Sequence, residues 1–503
     1  MLGLGRQMAR GAAWMVSLRL IMRGLGVIST LILARLLMPE DFGLVALAMA
    51  IYGFSGLLGA FGLDAALIHK QDAADRSHYD SAWTMNLLYG ALQGVVLALL
   101  AGPLAALFGD ERLVPIVYIL AGLAFLERWE NIGVVDFRKE LRFHKEFQYE
   151  LPVRLLRFAV TVGLAFALRN YWALVAGMVA GRVAKVALSY AMHAYRPRLS
   201  LERAGELFRF GKWFLASNVF GFVNQRGDML ILGGLVGATP LGFYRVGFEI
   251  ANLPSSELVA PMVRAIFPGY AKAAANGELA PYVRRMLGAF ALLAVPAGVG
   301  MALVADPLVT VVLGAKWQPA APLMAVLAIY GVLSGLVRAN HPVFLALGKP
   351  WVTTYYTGAR ALLTVPVLLA AVHMGGALGA AWGQLGIAAV LAIPYAVVLV
   401  RELALTWGEL AGVLWRPAAA AGLMAAILSG LGDLAGHGAL AQLLLLVPAG
   451  AAAYALAVVA LWWLAGWPEG AETDFLRWLG RQTGPRAGRA LRGLGPLGGS
   501  RGR

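Results

Sequence analysis

Arginine side chains recur inside the most apolar segments of this chain, where a full charge is costly and usually marks a functional position. Arg19 and Arg23 are four residues apart, so they share one face of a helix. Asn218, Gln225 and Arg226 form a comparable polar stripe on a later segment. A guanidinium group matches phosphate oxygens with paired donors. The sequence predicts a cationic cavity for an anionic ligand, lined by Arg19, Arg23, Asn218, Gln225, Arg226, Arg338 and Arg360.

The alternative for such arginines is that they extend along the bilayer to reach its interface. Acids are fewer, and we name three as candidates for binding or releasing a coupling cation: Asp64, Glu249 and Glu257. Glu127 and Glu130 flank Arg128, which indicates an internal ion-pair cluster.

Motifs of enzymes are missing from the sequence. It contains no P-loop, HExxH pair, serine nucleophile elbow or cysteine. The longest loop predicted outside the membrane on the periplasmic side, near residues 305–320, is short and carries one acid, Asp306. A membrane glycosyltransferase usually needs a larger loop with acidic catalytic residues outside the membrane, so the sequence disfavours a glycosyltransferase. We expect no catalytic residue, no metal and no cofactor, and we expect the chain not to be an enzyme.

Composition places the chain in the membrane. It has 503 residues, of which 60% are hydrophobic and only 14% charged, against about a quarter charged in soluble domains. Apolar runs of bilayer-spanning length recur from end to end. The net charge of +15 comes without a visible folded basic face, so we expect no nucleic-acid partner. The fold class is therefore an all-α polytopic membrane protein.

Hydropathy windows predict about fourteen transmembrane helices. They lie near 12–37, 42–67, 81–108, 113–135, 152–169, 172–193, 212–236, 242–268, 285–304, 321–346, 352–372, 377–400, 417–433 and 439–466. Lysine and arginine are concentrated in alternate loops, and the basic side is cytoplasmic by the positive-inside rule. Both termini are thus predicted to be cytoplasmic.

A repeat relates the two halves of the chain. A shift of 199 positions aligns Trp14 with Trp213, Gly43 with Gly242, and the Leu-Ile-Leu at 31–33 with that at 230–232. Because six spans separate the copies, the repeat is parallel, about an axis along the membrane normal. We predict two pseudo-symmetric six-helix lobes at 1–200 and 201–402, two additional helices within 403–466, and a cytoplasmic, disordered basic tail at 467–503.

The first copy of the repeat is a helical hairpin. Pro39 ends one helix, Glu40 and Asp41 favour the start of the next, and Gly43 is predicted to let these two helices approach closely.

The segments LARLLMPEDFGLVALA and FGLDAALIHK, with the later FGKWFLASNVFGFVNQRGDMLILGGLVGATPLGFYRVGFEIANLP, carry a resemblance over roughly residues 8–400. They resemble the polysaccharide-transporter family of the multidrug/oligosaccharidyl-lipid/polysaccharide (MOP) flippase superfamily. The resemblance implies a V-shaped, MATE-like pair of lobes in the bacterial inner membrane. It also implies a flippase for polyprenyl-pyrophosphate-linked oligosaccharide repeat units, used to build lipopolysaccharide, capsule or exopolysaccharide.

The partners implied are the lipid-linked oligosaccharide with its anionic pyrophosphate head, membrane lipids, and a polysaccharide polymerase with export machinery. A cation-coupled multidrug exporter of the same superfamily is the alternative; it would need acidic cavity residues for cationic drugs, whereas this chain has mid-span arginines. The sequence leaves open the glycan, the coupling ion, the oligomeric state and the role of the last two helices.

Overall fold

The computed structural model describes residues 2–57, 63, 67, 76–255, 266, 269–270, 272–432, 438–468, 470 and 472–473. At 2–10, 12–13 and 209–217 it describes the backbone alone. Within these ranges the regular elements are helices and no strand occurs. The predicted all-α class is confirmed. The predicted disordered tail from residue 474 onward and the two candidate coupling acids Asp64 and Glu257 lie outside the described residues. At the start of that predicted tail, Glu472 is buried and accepts a hydrogen bond from Arg416 Nε at 2.7 Å.

The first half of the chain forms eight long helices. They are α1 (Leu2–Leu36), α2 (Pro39–Gly56), α3 (Arg76–Phe108), α4 (Leu113–Glu127), α5 (Phe143–Leu168), α6 (Trp172–Met192), α7 (Ala204–Val236) and α8 (Ala238–Ala251). Two short helical turns, Ile132–Val135 and Asp136–Lys139, connect α4 to α5.

The second half continues with five long helices. They are α9 (Leu279–Leu303), α10 (Ala320–Ala339), α11 (Trp351–Glu402), α12 (Trp407–Gly432) and α13 (Ala439–Leu464). Short helices at Ala305–Val312, Ala315–Trp317 and His341–Ala346 lie between them.

Helix α11 is 52 residues long and is broken in its middle. Gly375 and Gly376 have non-helical backbone angles there, and Gly376 has a φ of 56°, which glycine adopts without steric cost. The break falls between the two predicted spans 352–372 and 377–400. Each part of α11 is long enough to cross a hydrocarbon core of about 30 Å.

Nine helices in the described part of the chain are long and apolar enough to span a membrane, with α11 counted once. The structure therefore confirms a polytopic membrane protein. The count of fourteen spans stays a prediction.

The structure packs as two compact units. The first contains Met1–Arg245 with Val372–Ala377, and the second contains Val246–Ala371 with Leu378–Arg503. The division falls inside α8, whereas the predicted boundary between lobes lies at 200/201; the predicted lobes stay a prediction.

In the first unit, neighbouring antiparallel helices pair: α3 with α4 and α5 with α6, while α1 lies on α5 and α2 on α7. Its first hairpin behaves as predicted. Helix α2 starts at Pro39, and the Asp41 carboxylate accepts hydrogen bonds from the backbone N–H groups of Met38 at 2.8 Å and Tyr171 at 2.9 Å. Glu40 accepts one from Arg112 at 2.5 Å. The Pro-Glu-Asp stretch thus hydrogen-bonds the α1–α2 connection to the α3–α4 and α5–α6 connections at one end of the unit.

In the second unit, α9 packs against both α10 and α12, and α12 packs against α13. Met424 and Leu428 on α12 meet Leu446 and Tyr454 on α13 in a buried cluster. The Tyr454 hydroxyl donates to the carbonyl of Leu292 on α9 at 3.1 Å. The last two helices are therefore packed parts of the second unit.

Candidate functional site: an arginine and tyrosine cluster

The two arginines of α1 that were predicted to line a cavity differ in their exposure. Arg19 is exposed and Arg23 is half-buried, one turn further along the helix. Their spacing of four residues on a continuous helix confirms that they share a face. That this face lines a substrate cavity stays a prediction.

The polar stripe predicted on α7 is also present. Asn218 is half-buried, Gln225 exposed and Arg226 half-buried. Arg226 lies within electrostatic range of Arg245 and Asp228. The region carries two guanidinium groups close together, which favours an anion beside them.

Asp228 has a further role in the same region. Its side chain is 6% exposed. It accepts hydrogen bonds from the Tyr244 hydroxyl at 3.0 Å and from the backbone N–H of Met229 at 2.8 Å. These bonds fix the carboxylate and link α7 to the start of α8, so Asp228 is a structural acid as well as a neighbour of Arg226.

Arg360 is the most firmly held of the predicted arginines in the second unit. Its Nη2 donates to the Tyr330 hydroxyl at 2.5 Å and to Gln384 Oε1 at 3.3 Å. Its guanidinium carbon lies 5.5 Å from the centroid of the Tyr330 ring, in cation–π range. Tyr330 and Gln384 are each 2% exposed, so the group that orients Arg360 is itself locked by packing.

Arg338 belongs to the same neighbourhood. It is exposed in the last turn of α10, and Tyr356 lies within electrostatic range of both Arg338 and Arg360. The Tyr356 ring packs edge-on against His341 at 5.7 Å and against Tyr395 at 5.2 Å. The structure thus places both Arg338 and Arg360 near the half-buried ring of Tyr356.

The acids predicted for ion coupling receive less support. Glu249 is half-buried on α8, and it is the described member of the set. Whether it binds a cation stays a prediction.

Sequence reasoning missed the partners in one polar network. Glu127 accepts from Arg182 Nη1 at 2.6 Å and from the Tyr52 hydroxyl at 2.8 Å. Glu130 pairs with Lys185 at 3.3 Å. The ion-pair cluster predicted at 127–130 exists, but its cations come from α6 rather than from the adjacent arginine. No local pattern gives a contact between residues 55 positions apart.

The cluster around Arg360 suits an anionic or polyhydroxylated ligand. A guanidinium group oriented by two fixed acceptors does not have to be immobilised when an anionic ligand arrives, and guanidinium donors match phosphate oxygens. Tyrosine and histidine rings beside it offer flat faces with polar tips. The arrangement contains no pair of groups placed as nucleophile and base within the described residues around Arg360.

Two bacterial proteins are similar to this chain over most of its length. The lipopolysaccharide biosynthesis protein WzxC of Escherichia coli (strain K12) is 25% identical over 419 residues, covering 81% of this chain and 84% of that protein. The succinoglycan biosynthesis transport protein ExoT of Rhizobium meliloti (strain 1021) is 24% identical over 362 residues, covering 71% of this chain and 73% of that protein.

The solved structure of the lipid II flippase MurJ in an inward closed conformation superposes with a TM-score of 0.73. It covers 90% of this chain and 99% of that one at 10% identity, which shows a common fold. The family model described as "Polysaccharide biosynthesis protein" matches residues 32–322, which is more than half of the chain. This chain therefore belongs to the polysaccharide biosynthesis protein family.

Proposed function

We propose that this protein translocates polyprenyl-pyrophosphate-linked oligosaccharide repeat units across the bacterial inner membrane. Its family and the names of its relatives in polysaccharide biosynthesis and transport support the proposal. The observation that carries it is the Arg360 cluster, where a fixed guanidinium group and aromatic rings offer complementary contacts to a phosphate-linked sugar.

The mechanism is alternating access. The head group enters from the cytoplasmic side and binds the arginines, and the site then opens to the periplasm. Each step requires that the ligand have different affinities for the two conformations. Arg19, Arg23, Asn218, Gln225, Arg226, Arg338 and Arg360 are the substrate contacts, and Glu249, with Asp64 and Glu257, binds the coupling cation. Both termini face the cytoplasm, and the product passes to a polysaccharide polymerase and export machinery.

The chain does this work without catalysis of its own. The lipid-linked substrate enters and leaves with its covalent bonds intact, so positioning and charge complementarity suffice.

The experiment is a flipping assay in proteoliposomes with a polyprenyl-pyrophosphate oligosaccharide. Wild type is compared with Arg23→Ala, Arg360→Ala and the control Arg401→Ala. Arg401 is an exposed arginine at the end of the helix that carries Arg360, so its loss removes the same charge outside the cluster. Folding of each variant is checked by its elution volume and thermal unfolding.

We expect wild type and Arg401→Ala to flip the lipid at equal rates. Arg23→Ala and Arg360→Ala each lose about tenfold or more, because a charge-assisted hydrogen bond contributes about 1.5–3 kcal/mol. If wild type does not move the lipid but exports a cationic dye against a proton or sodium gradient, the drug-exporter alternative replaces the proposal.

A further inference from the structure

A polar cavity of about 380 Å³ lies inside the first unit. Its walls come from the end of α2, from α3 to α6 and from the connection between α4 and α5. None of the predicted arginine-cavity residues lines it. This space would hold about a dozen water molecules at roughly 30 Å³ each, and it falls within the usual range for small-ligand pockets, about 300–1,000 Å³.

Most charges around this cavity are already satisfied within the protein. Glu127 is bonded to Arg182 and Tyr52. Glu130 accepts from the Tyr149 hydroxyl at 2.7 Å and pairs with Lys185. These groups set the shape of the walls and leave little free hydrogen-bonding capacity.

Glu146 is different. It is 5% exposed and lines the cavity. Its Oε1 accepts from Arg138 Nε at 2.6 Å, whereas its buried Oε2 has no hydrogen-bond partner among the described residues. A buried carboxylate oxygen without a partner is energetically unfavourable. A donor group on a ligand in the cavity would satisfy this oxygen.

Two further groups at the cavity wall complement that oxygen. The buried Nε of Arg128 also has no hydrogen-bond partner within the described chain, so the residues that line this cavity include one donor and one acceptor without partners. Asn86 is half-buried at the wall, and no described residue bonds to its amide, which can both donate and accept. Phe137 and Tyr149, each 3% exposed, supply ring surface.

The balance of positive and negative charge around the cavity indicates which class of ligand it would bind. Four acids, Glu127, Glu130, Glu146 and Glu150, face four bases, Arg128, Arg138, Arg182 and Lys185, so the lining and its ion-pair partners are formally neutral. A bare metal ion is disfavoured because, among the described residues, no three His, Asp or Glu side chains are grouped to hold one. A hydroxyl group fits both free atoms, since it donates to a carboxylate and accepts from a guanidinium group.

We propose that this cavity is a subsite for one neutral sugar ring, a hexose or N-acetylhexosamine, with a ring hydroxyl bonded to Glu146 Oε2. A hexose has about a dozen non-hydrogen atoms and so matches the volume, whereas a whole repeat unit does not. The proposal rests on the function proposed above, which supplies a sugar substrate. The cavity lies at the end of the unit that carries the basic loops. This end is predicted to face the cytoplasm, the side from which the substrate enters.

The first test measures binding of single sugars to the purified full chain in lipid nanodiscs. Saturation-transfer NMR is run with the methyl glycosides of glucose, galactose, mannose, N-acetylglucosamine and glucuronate. We expect at least one neutral glycoside to bind, and glucuronate to bind more weakly because Glu146 repels its carboxylate. Glu146→Gln weakens the bound glycoside about tenfold, since a charge-assisted hydrogen bond becomes an ordinary one.

The matched control is Glu140→Gln. Glu140 lies on the same connection, is about half exposed, and pairs with Arg142 at 2.7 Å outside the cavity lining. This variant also loses one acid and one ion pair, yet it keeps wild-type glycoside binding. Asn86→Ala is the second test variant, because Asn86 takes part in no ion pair and its loss leaves the fold intact; it weakens binding several-fold.

The subsite is overturned if no glycoside binds wild type, which is the result for a cavity that holds water only. It is equally overturned if Glu146→Gln and Asn86→Ala bind glycoside as wild type does. The flipping assay separates this failure from that of the proposed function. If wild type flips lipid-linked oligosaccharide but binds no glycoside, only the subsite proposal is overturned. If wild type binds glycosides but does not flip the lipid, only the proposed transport function is overturned.

Discussion

Gly43 on α2 and Gly242 on α8 make the same contact with each other's helix. A β-carbon placed on Gly43 would lie 1.7 Å from the carbonyl oxygen of Ala238, and one on Gly242 would lie 1.8 Å from that of Pro39. The 199-residue shift that aligns the two glycines also aligns Pro39 with Ala238. The starts of two repeated helices therefore meet in a self-complementary way, as equivalent surfaces do across a two-fold axis.

The first prediction concerns this crossing. Gly43→Ala and Gly242→Ala each destabilise the protein by about 1–3 kcal/mol, because a methyl group cannot fit against a backbone carbonyl unless the helices separate. The two contacts form one interface, so the double variant loses less than the sum of the single losses. Thermal and denaturant unfolding of the purified protein measure the effect.

The control for the crossing is Gly163→Ala. Gly163 is an exposed helical residue on α5, and a β-carbon there meets nothing within 4 Å. Alanine at such a position stabilises a helix by up to about 1 kcal/mol. Equal stability of all three alanine variants would contradict the close crossing.

Several features of the fold could be predicted from the sequence because each depends on local chemistry. Apolar length predicts the helices, Pro39 marks the start of α2, and the gap between the predicted spans 352–372 and 377–400 contains the break in α11. A close approach of helices at Gly43 was predicted within the first hairpin, but the structure shows Gly43 against the start of α8 instead, where the repeat places its counterpart Gly242. The partner of that approach, another copy of the same motif, required the three-dimensional structure.

The polar networks could not be predicted in the same way. Arg182 and Glu127 are 55 residues apart, and many arginines in this chain were equally plausible partners for that acid. Gln384 was not noticed because a single glutamine in an apolar helix has no periodic signal, although it holds Arg360. Glu146 looked like an ordinary first-turn acid, and only the cavity beside it distinguishes it.

The second prediction tests the Glu127 network. Glu127→Gln destabilises the protein by about 1–3 kcal/mol, because it leaves the Arg182 guanidinium without its counter-charge and weakens the bond from Tyr52. The value lies below that of a fully buried pair since the Glu127 and Arg182 side chains are 25% and 35% exposed. Adding Arg182→Met recovers part of the loss, as a double-mutant cycle by denaturant unfolding will show.

An exposed ion pair provides the comparison for this cycle. Glu140 and Arg142 are 47% and 51% exposed, and their coupling is expected to be below about 1 kcal/mol. A Glu127–Arg182 coupling no larger than this one would show that the pair adds nothing beyond a surface contact.

The third prediction is a loss of stability in mild acid through His193, which follows the end of α6. Burial lowers the pKa of His193 from its usual 6.5; Asp136 and Glu140 act against this, while Lys145 and Arg142 reinforce it. Because the folded-state pKa is depressed, the unfolded state binds the proton more readily. Stability is therefore full above about pH 6.5 and falls as the pH drops from there through the lowered pKa.

Thermal unfolding temperatures recorded from pH 8 to pH 5 measure this dependence. In His193→Gln, which cannot titrate in this range, the decline over that interval becomes shallower. His144→Gln is the matched variant, since His144 is an exposed histidine near the start of α5. If both variants keep the full wild-type decline, His193 is not its origin.

The fourth prediction separates the charge of Arg360 from its orientation. Tyr330→Phe keeps the ring under the guanidinium group but removes the hydroxyl acceptor, so Arg360 loses one of the hydrogen bonds that orient it and keeps the one to Gln384. We expect flipping at subsaturating lipid to fall about 2- to 10-fold, as for the loss of one hydrogen bond of about 0.5–1.5 kcal/mol. In Arg360→Lys the flipping rate falls further, because a lysine retains the charge but cannot offer paired donors to a phosphate.

Rates measured over a range of lipid concentrations distinguish weaker binding from slower turnover. The control is Tyr118→Phe, which removes an equal hydroxyl from an exposed tyrosine on α4. Both tyrosine variants should unfold within a few degrees of wild type, since the Tyr330 ring still fills its site. A rate for Tyr330→Phe equal to that of Tyr118→Phe would mean that orientation is unimportant and that the positive charge of Arg360 alone attracts the head group.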